Sequence, residues 1–171
     1  MSKRELKKYV NQLSKEQLEE QILEMYDKFL PVKTYYNFVF NPDEAKLIRE
    51  AKFKISSEFF PIGRKRAKMR RSISQKYIKH FMSLGVDSYL IADLMLYSIE
   101  IAQTLFSDRT ITQQAFFKGM LSSFQQAIRF MIDKGILFEF IPRVEAIKER
   151  AIQQAWQNQF EFIPIIERLD Y

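Results

Sequence analysis

Glycine and proline are scarce in this chain, and their scarcity limits the folds that it can adopt. The 171 residues include 4 Gly and 5 Pro. Tight turns between strands draw heavily on these residues, whereas helices joined by short polar loops need few of either. The composition therefore predicts an all-α protein. We expect one compact bundle of about six to seven irregularly packed helices, with a short α-solenoid as the alternative.

Composition also indicates what kind of core the bundle contains and which chemistries it lacks. Hydrophobic residues make up 47% of the chain and include 16 Phe and 8 Tyr, so the core should be aromatic. Cysteine is absent, which excludes disulfides, thiolate zinc sites and cysteine nucleophiles and suits a reducing compartment. The first residues are charged from Lys3 onward and lack the apolar core of a signal peptide. We therefore expect a cytoplasmic protein.

Local signals predict the helices of the first third of the chain. Two serine pairs have capping-box spacing, which predicts helices over 3–12 and 15–30. These pairs are Ser2 with Glu5 and Ser14 with Gln17. Residues 32–40 are β-branched and aromatic, as in a strand, but no partner strand is evident and we favour a short helix. Asn41 as N-cap and Pro42 at the first helical position predict a helix that reaches Phe59.

The remaining helices follow from similar signals. Ser72 and Gln75 have capping-box spacing, and Gly85 should close the helix that they begin. Its apolar face should be Ile73, Tyr77, Phe81 and Leu84. Asp87 should cap a helix over 88–106 and Thr112 one over 113–134, and a last long helix should run from Pro142 to Phe160.

The segment from Tyr89 to Phe106 is the longest apolar region. Asp93, Glu100 and Gln103 interrupt it, and two carboxylates at membrane depth would cost several kcal/mol. We therefore expect no transmembrane segment here, but a helix buried within a soluble bundle.

The positive charge of the chain is concentrated in one short segment. Six of the eight residues from Arg64 to Arg71 are Lys or Arg, and they account for the whole excess of 27 cations over 21 anions. We predict a single domain over 1–171, in which a basic loop at 61–71 joins an N-terminal helical part (1–60) to a C-terminal helical core (72–171). A concentrated cationic segment indicates an anionic partner more strongly than a diffuse basic surface does.

Phosphate contact is the functional interpretation of this segment. Arginine forks match phosphate oxygens, lysines add charge, and the next helix offers free amide groups. The alternative is a solvated loop, or one that pairs with the protein's own acids. Arg70 and Arg71 should form its rigid edge. The candidate anion-binding residues are Arg64, Lys65, Arg66, Lys68, Arg70, Arg71, Lys76 and Lys79.

A second constellation is the acidic face formed by Asp93, Tyr97 and Glu100. Their spacing places two carboxylates on one side of a helix, where they could bind a metal or act as acid and base. The favoured alternative is that they pair with lysines or arginines of neighbouring helices. The single histidine, His80, cannot complete a metal site, so we predict no catalytic residue, no metal and no cofactor.

Three stretches of the chain carry a family resemblance: KMRRSISQKYIKHF, GVDSYLIADLMLYSIEIAQ and FFKGMLSSFQQAIRFMIDKGIL. They resemble an uncharacterised bacterial family, one of the domain-of-unknown-function groups of the Bacteroidota. The matching positions are Ala92, Asp93, Leu94, Met95, Leu96, Tyr97, Glu100, Phe116 and Phe117. Ser88 stands where this family tends to have proline, and Phe117 where tyrosine is common. The resemblance implies an all-helical cytoplasmic protein and no mechanism.

Three functional hypotheses remain. The first is a non-enzymatic helical protein that binds nucleic acid or another polyanion through the basic loop. An acidic protein is a further candidate partner of this loop. The alternative is a helical module that binds another protein through an apolar or acidic groove. The third is a small enzyme that uses the acidic helix face. Oligomeric state is not predicted.

Overall fold

The computed structural model describes residues 2–63 and 66–168. Within these ranges the chain forms nine α-helices and one 3-10 turn, with no strand, which confirms the all-α prediction and adds two helices to its upper estimate. The helices are α1 (Lys3–Val10), α2 (Lys15–Lys28), α3 (Leu30–Phe40), α4 (Glu44–Phe59), α5 (Arg71–Leu84), α6 (Ser88–Asp108), α7 (Gln114–Asp133), α8 (Leu137–Gln153) and α9 (Ile163–Glu167), and the 3-10 turn is Gln159–Glu161.

The chain divides into two compact units, residues 1–43 and 44–171. The first contains α1 to α3 and the second α4 to α9. The boundary therefore precedes α4, and α4 groups with α5 and α6. A single domain over all 171 residues stays a prediction.

In the first unit, the predicted serine caps are present. Ser14 Oγ accepts from the Gln17 amide at 3.2 Å, and Gln17 Oε1 accepts from the Ser14 amide at 2.9 Å. Helix α3 confirms the preference for helix over strand at 32–40. It pairs with α2 through a 3.1 Å hydrogen bond from Tyr26 to Asn37. None of the residues in these three helices is buried.

Helix α6 is the centre of the second unit. Ten of its residues are buried, and α4, α5, α7 and α8 all pack against it. Its length and apolar composition would also permit a membrane span, but 56% of that stretch is buried inside the protein. Asp87 caps it as predicted, with Oδ1 accepting from the amides of Tyr89 at 2.8 Å and Leu90 at 3.3 Å.

An aromatic cluster surrounds Trp156, which is fully buried. The rings of Phe106, Phe116, Phe117 and Phe162 lie with their centroids 5.7 to 6.0 Å from it. The prediction that a helix carries Trp156 and continues to Phe160 was wrong. Helix α8 ends at Gln153, and Ala155 turns the chain with φ of 50°. That turn places the indole in the core.

Four predicted helix starts were wrong. Asn41 is the C-cap of α3 and leaves the helical conformation, with φ of −136° and ψ of 68°, and α4 begins at Glu44. Ser72 lies inside α5, because the extended residue before the helix is Arg70. The two remaining errors are Thr112, which lies one residue before the N-cap of α7, and Pro142, which lies inside α8.

Candidate anion-binding groove

The facing flanks of α4 and α5 form a groove because each helix turns a different side to the core. Helix α4 buries Ile48, Ala51, Ile55 and Phe59, as predicted, which leaves Lys54 and Glu58 on its flank. The apolar face predicted for α5 was half wrong. The helix buries Ser74, Ile78, Phe81 and Leu84. Ile73 and Tyr77 are only partly buried and form the wall of the groove.

Two adjoining cavities make up this α4–α5 groove. The larger has a volume of about 410 Å³ and the smaller about 130 Å³, and they share Ser57 and Glu58. The larger is also lined by Lys54, Ile73, Lys76, Tyr77 and His80. The smaller is also lined by Pro61, Arg66 and Lys68. Tyr77 thus lies among basic side chains.

Glu58 is the acidic residue of the groove, and Arg70 neutralises it. Arg70 Nε donates to Glu58 Oε2 and Nη2 to Oε1, both at 2.8 Å. These hydrogen bonds lower the pKa of Glu58 and raise the pKa of Arg70. Among the described residues that line the two cavities, Glu58 is the one carboxylate. The groove therefore presents cations with little opposing charge.

Backbone contacts anchor the end of the basic segment to the same residue. The Glu58 carbonyl accepts from the amides of Lys68 at 2.9 Å and Met69 at 3.1 Å. Met69 has φ of 51°, which is uncommon for a residue with a side chain. This turn brings Arg70 back to the Glu58 carboxylate, while Lys68 stays exposed beside the smaller cavity.

The structure separates the predicted anion-binding residues. Arg66 and Lys68 line the smaller cavity and Lys76 lines the larger one, whereas Lys79 is exposed on α5 outside both. Arg70 is engaged with Glu58, and Arg71 points to α7. Arg64 and Lys65 lie outside the described residues. The participation of all these predicted residues in anion binding stays a prediction.

Sequence reasoning missed Lys54 and Tyr77 as groove residues and gave His80 no role there. Lys54 lies in a mixed-charge helix, and its separation of four from Glu58 is the only local sign that both lie on one flank. Tyr77 has the spacing of a core aromatic, which is how we interpreted it. Which flank faces α5 depends on how α4 packs, so the residue pattern alone does not reveal it.

The acidic face of α6 is occupied by cations from neighbouring helices, as the favoured interpretation predicted. Arg143 of α8 donates to Glu100 Oε1 at 2.5 Å and Oε2 at 2.7 Å, and to Asp93 Oδ1 at 2.6 Å. Lys52 of α4 lies 2.6 Å from Asp93 Oδ2 and 5.1 Å from the centre of the Tyr97 ring. These ion pairs tie α6 to α4 and α8.

The pKa shifts agree with a network of ion pairs. Burial opposes ionisation of Asp93, but hydrogen bonds from Lys52 and Arg143 outweigh it and lower the pKa of that carboxyl. The hydrogen bonds to Glu100 raise the pKa of Arg143. In the described part of the chain, no group of three His, Cys, Asp or Glu could hold a metal ion.

Comparison with known protein families places the chain in one of them. The model of a family of unknown function, DUF6155, matches residues 1–170. The chain belongs to the DUF6155 family. This agrees with the resemblance to an uncharacterised family. No curated protein and no solved structure matches the chain.

Because DUF6155 is a family of unknown function, the family assignment implies no activity. The chemistry of the groove indicates which ligands it could bind. In this DUF6155 protein the α4–α5 groove combines exposed cations with a partly apolar wall. Such a surface suits a ligand that carries both negative charge and planar apolar groups.

Proposed function

We propose that this DUF6155 protein binds a polyanion, foremost nucleic acid, along the α4–α5 groove, and that it does so without catalysis. The excess of positive charge in the groove is the observation that supports this proposal. Lys54, Arg66, Lys68 and Lys76 line it, while Arg70 neutralises Glu58, its carboxylate. Lysines and arginines that contact the phosphates of a nucleic acid release the counterions condensed on that nucleic acid, which favours binding at low salt.

The wall of the groove favours a single strand. Tyr77 and Ile73 present partly buried apolar surface in the cavity that Lys54 and Lys76 also line. An unpaired base can stack on an aromatic ring for about 1–3 kcal/mol, while its phosphates meet the lysines. A duplex conceals its bases and would use only the charges. The proposal therefore specifies single-stranded nucleic acid of low sequence specificity.

The cellular setting belongs to the same proposal. A bacterial cytoplasm is the setting that the sequence resemblance implies, and a chain without cysteine suits its reducing conditions. Cytoplasmic nucleic acid would then be accessible to the groove.

The test is the affinity for a labelled single strand and for a duplex, measured by fluorescence anisotropy over a range of salt concentrations. If four phosphates are neutralised, the log–log salt slope for the single strand should be about −2.8. The K54Q/K68Q/K76Q variant should flatten that slope by about 2. No binding at low salt, or equal binding by this variant, would refute the proposal.

A matched pair of variants separates the groove from overall charge. Lys76 lines the groove and Lys79 lies outside it, yet both are on α5 and each loses one charge when changed to Gln. We expect K76Q to weaken single-strand binding several-fold more than K79Q. Equal losses would indicate attraction to net charge alone.

A protein-binding module is the second candidate function, and exposed apolar residues of α2 and α3 favour it. Leu23, Leu30 and Phe40 are 64%, 74% and 74% exposed. An exposed apolar patch of about several hundred Å² commonly marks a protein contact surface. The L23S/L30S/F40S variant should lose cross-links to a partner that the K54Q/K68Q/K76Q variant retains. Unchanged cross-links in the first variant would exclude this surface.

A further inference from the structure

Arg71 is held on α7 by two serines. Its Nε donates to Ser123 Oγ at 2.7 Å and its Nη2 donates to Ser122 Oγ at 3.2 Å. The stem of the side chain crosses α7 at Gly119, where an added Cβ would lie 3.5 Å from Arg71 Cδ. The guanidinium thus joins the first residue of α5 to α7.

The described side-chain partners of this guanidinium are neutral. Within residues 2–63 and 66–168, Arg71 forms no ion pair, and both of its side-chain hydrogen bonds go to neutral hydroxyls. Partial burial lowers the pKa of Arg71. Arg71 is only partly exposed, and a carboxylate or phosphate partner would offset the cost of removing part of its charge from water. Among the described residues, no carboxylate takes that place beside Arg71.

Arg71 and Ser122 each have a donor left over beside the hydrogen bond that joins them. A guanidinium has five N–H groups, of which Arg71 uses two here. Ser122 Oγ accepts from Arg71 and, at 3.2 Å, from Gln126 Nε2, so its own hydroxyl proton is available to donate. Lys118, one helical turn before Ser122, is exposed and adds positive charge.

We propose that Arg71 and Ser122 bind one phosphate group at the edge between α5 and α7, in a site separate from the α4–α5 groove. Remaining guanidinium N–H groups and the Ser122 hydroxyl donate to the phosphate oxygens, and Lys118 contributes charge at longer range. Two sources of this group share the chemistry: inorganic phosphate and the phosphodiester of a nucleic acid. The site does not rest on the function proposed for the groove.

The test follows the Arg71 Nε–H resonance by NMR in the full chain during titration with inorganic phosphate at constant ionic strength. We expect a saturable shift, and binding about tenfold weaker in S122A because a hydrogen bond to a charged group is lost. Ser72 is exposed on α5 beside Arg71, so S72A is the matched serine control and should bind as the wild type does.

A second titration, with a short single-stranded oligonucleotide in the K54Q/K68Q/K76Q background, distinguishes the two sources. A shift with both ligands shows that a free phosphate suffices, and a shift with the oligonucleotide alone identifies a phosphodiester. Either result supports the phosphate site at Arg71 and Ser122, even if the groove does not bind nucleic acid. Absence of a saturable shift with both ligands, or equal affinity in S122A and S72A, overturns it.

Discussion

Replacing Arg143 by methionine removes the cation that joins α8 to α6. The change keeps a long side chain but deletes the hydrogen bonds to Glu100 and Asp93. Asp93 retains Lys52 as a partner, whereas both oxygens of Glu100 lose the partner that they have in the structure. R143M therefore leaves one carboxylate poorly compensated.

The magnitude depends on how far this network is removed from water. The side chains of Arg143, Asp93 and Glu100 are 29%, 29% and 30% exposed, between a surface ion pair and a buried one. Exposed pairs contribute about 0–1 kcal/mol, and breaking a buried pair costs about 3–5 kcal/mol. We expect R143M to lower the free energy of unfolding by about 2–3 kcal/mol, between these limits.

Urea denaturation at pH 7, followed by circular dichroism, measures this loss. A double-mutant cycle with E100Q isolates the pair, and we expect a coupling energy of about 1–2 kcal/mol. The matched control is R129M, which removes an exposed arginine from α7. The reasoning is refuted if R143M and R129M change the free energy of unfolding by the same amount.

The pH dependence gives an independent check on the same network. The folded-state pKa of Asp93 lies below its ordinary value of 3.8, so its contribution to stability is present above that pH and is lost as the pH falls through the lowered value. The difference in unfolding free energy between wild type and R143M should therefore shrink below about pH 4. A constant difference down to pH 2 would show that packing, and not charge, causes the loss.

Three further predictions concern the groove, the core and a turn. E58Q should tighten single-strand binding and steepen the salt slope by up to about 0.7, because it frees Arg70 and removes the acid of the groove; weaker binding in the anisotropy assay would contradict this. W156A should cost about 3–5 kcal/mol of unfolding free energy, since the indole is fully buried, whereas W156F should cost less; equal losses in urea would contradict the packing argument. G85A should lower the free energy of unfolding by about 1–2 kcal/mol, because Gly85 has φ of 80°, where a residue with a side chain is strained. An added Cβ would meet no described atom within 4 Å, so the loss comes from the backbone and not from a clash. A neutral effect in thermal melts would show that the strain is relieved.

The helices were largely predictable because their signals are local. The serine caps at Ser2 and Ser14, the Asp87 cap and the left-handed turn at Gly85 each involve residues within five positions of one another. The errors occurred where a residue that is common at helix starts lies elsewhere in the structure. Pro142, for instance, lies inside α8.

The candidate site was predictable only in part. Charge counting located the basic segment, and three of the predicted anion-binding residues line the α4–α5 groove: Arg66 and Lys68 of that segment and Lys76 of α5. It did not reveal that Arg70 and Arg71, adjacent in sequence, diverge to Glu58 and to α7. Apolar periodicity placed Tyr77 in the core, because it defines a helical face but not how far the helix is rotated against its neighbours.

The sequence by itself determined the fold class, most helix positions and the concentration of charge, because turn residues, caps and apolar periodicity act over a few positions. Tertiary structure decided which cations are engaged and which face solvent. Their hydrogen-bond partners are distant in sequence: Glu58 lies 12 positions from Arg70, Asp93 lies 50 positions from Arg143, and Ser123 lies 52 positions from Arg71. Such partners meet only after the helices pack, and packing depends on the shapes of whole helix faces.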